Sequence, residues 1–251
     1  PSKVFTGAKG VEINKISGAH PAGNVGIQVH HIDPINKGEV VWYLHPQDVI
    51  AIARLFTEGK YDVSRIVALA GSQVKKPKYY RTIAGATIAN LLADNITDGD
   101  NRIISGDILT GQHIEANGTL GFYDTTITVI EEGKEQEFLG WILPGLHKFS
   151  ASKTFLSWLT PSKRYTLNAN MHGEERAYVM TGEYEKVLPM DILPAHLIKA
   201  CMIEDIELME NLGIYEVSPE DFALCEFVCT SKIEVQTIIR NALELVRKEN
   251  S

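Results

Sequence analysis

RIVALAGSQVKKPKYYRTIAG, Arg65 to Gly85, decides how the chain reads. RIVALAG is an apolar strand stopped by glycine, and KPKYYRTI is a second strand rich in aromatic and β-branched residues. The short basic run VKKPK between them reads as a solvated turn rather than a binding surface. Gly85 opens another turn, after which TIANLLAD (Thr87–Asp94) reads as a short helix. NRIISGDILTG (Asn101–Gly111) and the alternating GTLGFYDTTITVI (Gly118–Ile130) complete a small sheet-plus-helix unit of α+β type. Glycines at 71, 85, 99, 106, 111, 118 and 121 mark turns, bulges and close backbone approaches within it.

Upstream, VVWYLHPQDVIAIARLF (Val40–Phe56) reads as a short strand over Val40–Leu44 followed by a helix. Pro46 suits a first helical turn, Val49, Ile52, Ala53 and Phe56 recur on one face, and Gly59 ends the helix. Before it, GAHPAGNVGIQVHHIDP (Gly18–Pro34) is a glycine- and histidine-rich loop. Downstream, EEGKEQ (Glu131–Gln136) is a charged turn and EFLGWILP (Glu137–Pro144) an apolar strand ended by proline. SASKTFLSWLTPSK (Ser150–Lys163) reads as a short helix, and Tyr165 to Met190 as loops with short strands.

The last part is helical. Leu197, Ile198, Cys201 and Leu208 form an apolar stripe, and Val235, Ile238, Ile239, Ala242 and Val246 define a final amphipathic helix. In SPEDFALCEFVC, Ser218 is a cap, Pro219 takes the first position and Asp221 closes a near capping box. These pieces predict a small antiparallel helical bundle.

Composition narrows the function. With 251 residues, 44% hydrophobic content and a formal charge of −8, the chain is a folded acidic protein, which argues against nucleic acid as a partner. No apolar run is long enough to span a bilayer. The three cysteines, Cys201, Cys225 and Cys229, are too few for a disulfide framework and fit a reducing compartment. The chain begins at Pro1 without methionine, so it is read as an excised fragment.

Sites of chemistry are harder to assemble. His20, His30 and His31 lie near Asp33, but neighbours in an extended strand face opposite ways, and neither HExxH nor a pair of CxxC motifs exists. GAHPAGNVG has neither GxGxxG nor GxxxxGK[ST] spacing, so no dinucleotide site is expected. Cys225 and Cys229 are spaced for one helical face, yet a cluster needs four ligands, so buried thiols are the simpler reading. No GxSxG elbow is present. Read from residues alone, an interaction or scaffold role ranks above an enzyme.

Several motifs occur in a distinctive order: HPAGNVG (His20–Gly26), QDVIAIARLFTEG (Gln47–Gly59), RIVALAGSQVKKPKYYRT (Arg65–Thr82), DGDNRIISGDILTG (Asp98–Gly111), GWILPGLHKFS (Gly140–Ser150), MDILPAHL (Met190–Leu197) and ALCEFVC (Ala223–Cys229). In that order they resemble the carboxyl-terminal part of the NqrA subunit of the sodium-translocating NADH:quinone reductase, over nearly all of the chain. The family pattern continues its cysteine segment as CxxxCP, whereas Thr230 follows Cys229 here, which lowers any expectation of a cluster.

The resemblance implies a multidomain α+β architecture. Residues 1–62 would be the end of a Rossmann-like α/β region, 63–130 a β-grasp module of the soluble-ligand-binding kind, and 131–190 connecting strands, loops and a short helix. Residues 191–251 would be a helical bundle resembling the cluster-binding domain of the NADH- and flavin-binding subunit of respiratory complex I, with Cys225 and Cys229 as a relic of its site. It also implies a peripheral subunit on the cytoplasmic side of the bacterial inner membrane, working with the other subunits and above all a membrane-embedded quinone-side subunit. Flavins and the iron centre would sit on those other subunits, leaving no cofactor, metal or catalytic residue in this chain. Quinone could be a ligand, with His20, Trp42, Tyr43, His45, Trp141 and Phe149 as the quinone or interface candidates. The alternatives are a small-ligand-binding module and, less favoured, an independent soluble enzyme.

Overall fold

The computed structural model describes residues 7–134, 138–140 and 142–250. Its helices are α1 (Val25–Ile32), α2 (Pro46–Glu58), α3 (Ala89–Leu92), α4 (Pro194–Met202), α5 (Ile206–Asn211), α6 (Ala223–Val228) and α7 (Val235–Glu249). Its strands are β1 (Ser64–Ala70), β2 (Lys78–Ile83), β3 (Asn101–Ser105), β4 (Gln112–His113) and β5 (Thr126–Glu131). They fall into two units: one from residues 1–41, 180–225 and 234–251, the other from 42–179 and 226–233.

In the second unit the strands form one sheet in the order β2-β1-β5-β3-β4. β1 and β2 pair antiparallel, with Ser64 opposite Ile83 and Leu69 opposite Lys78. β1 and β5 pair parallel at the centre, Ala68 opposite Thr126. A parallel neighbour cannot be reached by a hairpin, so the chain crosses over through α3, β3 and β4 before returning as β5. This central parallel pair, flanked by antiparallel strands and crossed by a helix, is a β-grasp sheet.

Alternation along β1 points Val67 and Leu69 into a core with Val74, Ile88, Leu92, Ile103, Ile127 and Val129. Burying each such aliphatic side chain contributes about 2 kcal/mol. Gly71 must be glycine: its φ is +121°, and a Cβ there would sit 2.0 Å from the Val129 carbonyl oxygen. β1 extends past its pairing with β5, and the Gln47 side chain takes over there. Its Nε2 donates to the Ile66 carbonyl at 3.0 Å, and its Oε1 accepts from the Ile66 amide at 2.8 Å.

The first unit is helical. α4 packs on α5 and α7, and the 3-10 turn Pro219–Phe222 packs on α7 and α1. Leu197, Ile198, Met209, Phe222, Val235 and Ile239 are fully buried. The capping box read from SPEDF is present, with Asp221 Oδ2 accepting from the Ser218 amide at 2.9 Å and its hydroxyl at 2.8 Å.

Four local readings are corrected. Val40–Leu44 forms no strand, because no neighbouring strand pairs with it, although the helix after it runs to a left-handed Gly59 as expected. Phe138–Gly140 is a turn; Trp141 and Glu135–Glu137 lie outside the described residues. Ser150–Lys163 yields only a 3-10 turn, Leu156–Leu159. Conversely, Val25–Ile32, read as loop, is a helix whose face Ile27 and His30 is buried. Its glycine and β-branched residues hid the 3.6-residue period.

Candidate functional site

His30 and His31, both on α1, have hydrogen-bond partners from the segment 189–191. His20 is exposed and joined to Pro21 by a cis peptide bond. His30 Nε2 accepts from the Asp191 amide at 3.0 Å, and its Nδ1 lies 2.8 Å from Glu216 Oε2. His31 Nε2 lies 2.8 Å from the Pro189 carbonyl oxygen; since a carbonyl only accepts, that nitrogen carries the proton. A metal would need the lone pair that His30 already commits to an amide. Among the described residues, no three His, Cys, Asp or Glu side chains gather as a metal site.

At the start of α1 a carboxylate is packed against backbone. Asp221 is 1% exposed, and a Cβ on Gly26 would fall 2.0 Å from its Oδ2. Burial pushes the Asp221 carboxyl above the usual range, opposed by its bonds to Ser218 and by the groups of Asn24 and Ile27 at the helix start. The geometry is that of a helix N-terminus packed against a carboxyl group from a distant segment.

Cys201, Cys225 and Cys229 are buried and form no disulfide. Burial pushes the Cys201 thiol to about 12, so it is neither a nucleophile nor a ready metal ligand near neutral pH. α6 stops at Val228, so Cys229 lies beyond its end rather than on its face, with its amide bonded to the Glu226 carbonyl at 3.2 Å.

The aromatic candidates separate into two groups. Tyr43 and His45 meet edge to face at 5.7 Å, and Trp42 beside them is 90% exposed. They continue into the face of α2, where Val49, Ile52, Leu55 and Phe56 are open as well, so this side is an uncovered apolar surface and not an enclosed groove. Phe149 packs between Tyr165, at 5.6 Å, and Phe227, at 5.5 Å. Trp141 lies outside the described residues.

A groove that the sequence reading did not find lies on the β-grasp unit. It is shallow and open to solvent, running between the turn Ile83–Ala86 and the loop Leu120–Asp124, with Val67, Ile88 and Ile127 as apolar floor. Arg65 stands at its edge, paired with Asp48 at 2.6 Å and lying 5.6 Å over the Phe122 ring. Asp124 Oδ2 accepts from the Ser105 hydroxyl at 2.5 Å, and that hydroxyl accepts from the Gly121 amide at 2.8 Å. Both charges are thus partnered, which suits a flat apolar or neutral polar group better than a free anion. The signal in the sequence was GFYD, an aromatic pair before an acid in a glycine turn, but nothing local says that Arg65 will meet it.

Fold and site together define a β-grasp module accompanied by a helical unit in which, among the described residues, no three His, Cys, Asp or Glu side chains converge. Two family models match: one described as "NqrA second alpha/beta domain" over residues 2–61, the other as "NQRA C-terminal domain" over 66–116. The NqrA subunit of the Na(+)-translocating NADH-quinone reductase of Pasteurella multocida is 44% identical over 242 residues, covering 95% of this chain and 54% of that protein. Those of Yersinia pestis bv. Antiqua and Neisseria meningitidis are 43% and 42% identical, each with 54% of its length covered. The chain belongs to the family of NqrA subunits of the Na(+)-translocating NADH-quinone reductases, and it spans about half the length of the curated relatives it matches.

Proposed function

We propose that the chain acts as part of the peripheral NqrA subunit of a sodium-translocating NADH:quinone reductase, with assembly of the complex as its main contribution. Among the described residues no helix is long and apolar enough to cross a membrane. The observation that carries the reading is the uncovered apolar surface from Trp42 through α2, where Trp42 is 90% and Phe56 85% exposed. An ordered helix with an unburied apolar face is a docking element. Flavin and iron chemistry then belong to other subunits, and the natural partner is the membrane-embedded quinone-side subunit. The test is affinity purification of the complex carrying Val49→Asp and Phe56→Asp. The other subunits are expected to be lost while the variant stays folded by circular dichroism; full recovery of the complex would sink the docking role of this face.

A second reading rests on the groove of the β-grasp sheet, residues 63–130 in the sequence division. It makes the chain a module that admits quinone or another small flat ligand. Calorimetric titration with a short-chain quinone and a redox-inert analogue tests it, with saturation abolished by Leu120→Glu as the expected result. Linear heats with both compounds would remove the reading.

A further inference from the structure

In a chain of 251 residues with 32 acidic ones, the run from Phe138 to Gly173 holds no Asp or Glu at all, while it carries Lys148, Lys153, Lys163 and Arg164. The chain as a whole has a formal charge of −8, so positive charge is segregated here. The same run keeps Leu143, Leu146, Leu156, Trp158 and Leu159 exposed. Exposed apolar side chains gathered in a run that has four cations and no acidic residue differ from an ordinary solvated loop.

The segment is nevertheless folded on itself. The Leu156 amide donates to the Pro144 carbonyl at 2.9 Å, and the Ser157 hydroxyl donates to the Lys148 carbonyl at 2.5 Å. Gly145, at φ +62°, lies so close to the Phe155 ring that a Cβ would sit 2.4 Å from it. Lys163 Nζ donates to the Leu146 carbonyl at 3.0 Å. These bonds bring the 143–148 turn and the 155–163 stretch together, so their exposed leucines and Trp158 belong to one patch. Lys153 lies between these two stretches and Arg164 directly follows the second; both are exposed, and no ion pair among the described residues engages either.

Two kinds of surface could cover such a patch. Lysine is depleted at protein–protein interfaces, where its hydrated ammonium is costly to bury. At a bilayer surface the preferences are reversed: tryptophan and leucine enter the interfacial layer while lysine and arginine reach anionic headgroups. We propose that the patch of Leu143, Leu146, Trp158 and Leu159, together with Lys153 and Arg164, seats the chain on an anionic lipid surface. The proposal rests on the reading of the chain as part of a peripheral subunit at the membrane, and it names the part of the surface that meets lipid rather than protein.

The test is sedimentation of the full chain with vesicles containing no other subunit, so that its result is independent of complex assembly. Vesicles of phosphatidylcholine alone are compared with vesicles of phosphatidylcholine and phosphatidylglycerol in equal parts. Binding to the mixed vesicles, reversed by 0.5 M salt, is expected. Lys153→Gln with Arg164→Gln should weaken it about 20- to 30-fold, taking each cation near the surface as a factor of about five. Trp158→Ser should weaken it on a separate apolar ground. Circular dichroism monitors folding, and the single variants replace the double one if it unfolds. No binding to either vesicle, equal and salt-insensitive binding to both, or anionic binding untouched by these variants would overturn the proposal and leave a protein partner as the occupant.

Discussion

Replacing Gly26 with alanine isolates the contact between α1 and the capping turn. In an ordinary helix the change would help, because alanine is favoured over glycine by up to about 1 kcal/mol. Here the new Cβ would sit 2.0 Å from Asp221 Oδ2, 2.7 Å from Cγ and 2.8 Å from Oδ1. Asp221 cannot swing aside freely, since Oδ2 holds both the Ser218 amide and the Ser218 hydroxyl. Relief therefore breaks the capping box, costing about 1–2 kcal/mol, or separates α1 from the turn at the overpacking cost of about 1–3 kcal/mol. A net loss of about 2 kcal/mol is expected for Gly26→Ala. In an Asp221→Ala background the obstructing atoms are gone, so the same change should be neutral or stabilise by a few tenths of a kcal/mol. With two units in the chain, global melting need not be two-state, so the assay is amide hydrogen exchange of peptides covering Val25–Ile32 and Pro219–Val228. Equal loss of protection in both backgrounds, or a gain in the wild-type background, would refute the coupling.

Asp221 also gives the chain a pH signature. Its folded carboxyl lies above the usual range because of burial, so its contribution favours the fold at low pH and is lost as pH rises through the raised value. Asp221→Asn should accordingly gain stability relative to wild type between pH 4 and 7 in paired urea titrations; a constant difference across that window would contradict the burial argument. Leu69→Ala removes a side chain from the centre of the sheet core and should cost about 3 kcal/mol, read as faster exchange of β1 and β5 amides, with unchanged exchange as the negative outcome. The thiols of Cys201, Cys225 and Cys229 should resist a disulfide-exchange reagent at pH 8 in the folded chain and all react in denaturant. Rapid labelling of one of them in the native chain would show that its burial is wrongly read.

Features whose cause is local are legible in the residues alone. Glycine at 71 and 85, the alternation of Val67 and Leu69, and the β-branched runs NRIIS and TITVIE carry the sheet strands, since period-two burial is written in neighbouring residues. Pro46 and Gly59 bracket α2, and Ser218 with Asp221 writes its own cap. The ordered motifs carried the family for the same reason: each is a contiguous string.

Features that depend on distant partners follow only from the fold. Val40–Leu44 has strand composition but no strand to pair with, and a strand is a property of two segments. Val25–Ile32 is a weak helix by propensity, and it forms where the Asp221 carboxyl, 195 positions beyond Gly26, packs against its first turn. The groove likewise escaped the sequence reading. Arg65 opens a motif read only as a strand, and its place over Phe122 and against Asp48 is set by the crossover that returns β5 alongside β1. Such placements follow from the sheet order β2-β1-β5-β3-β4, which no single stretch of residues encodes.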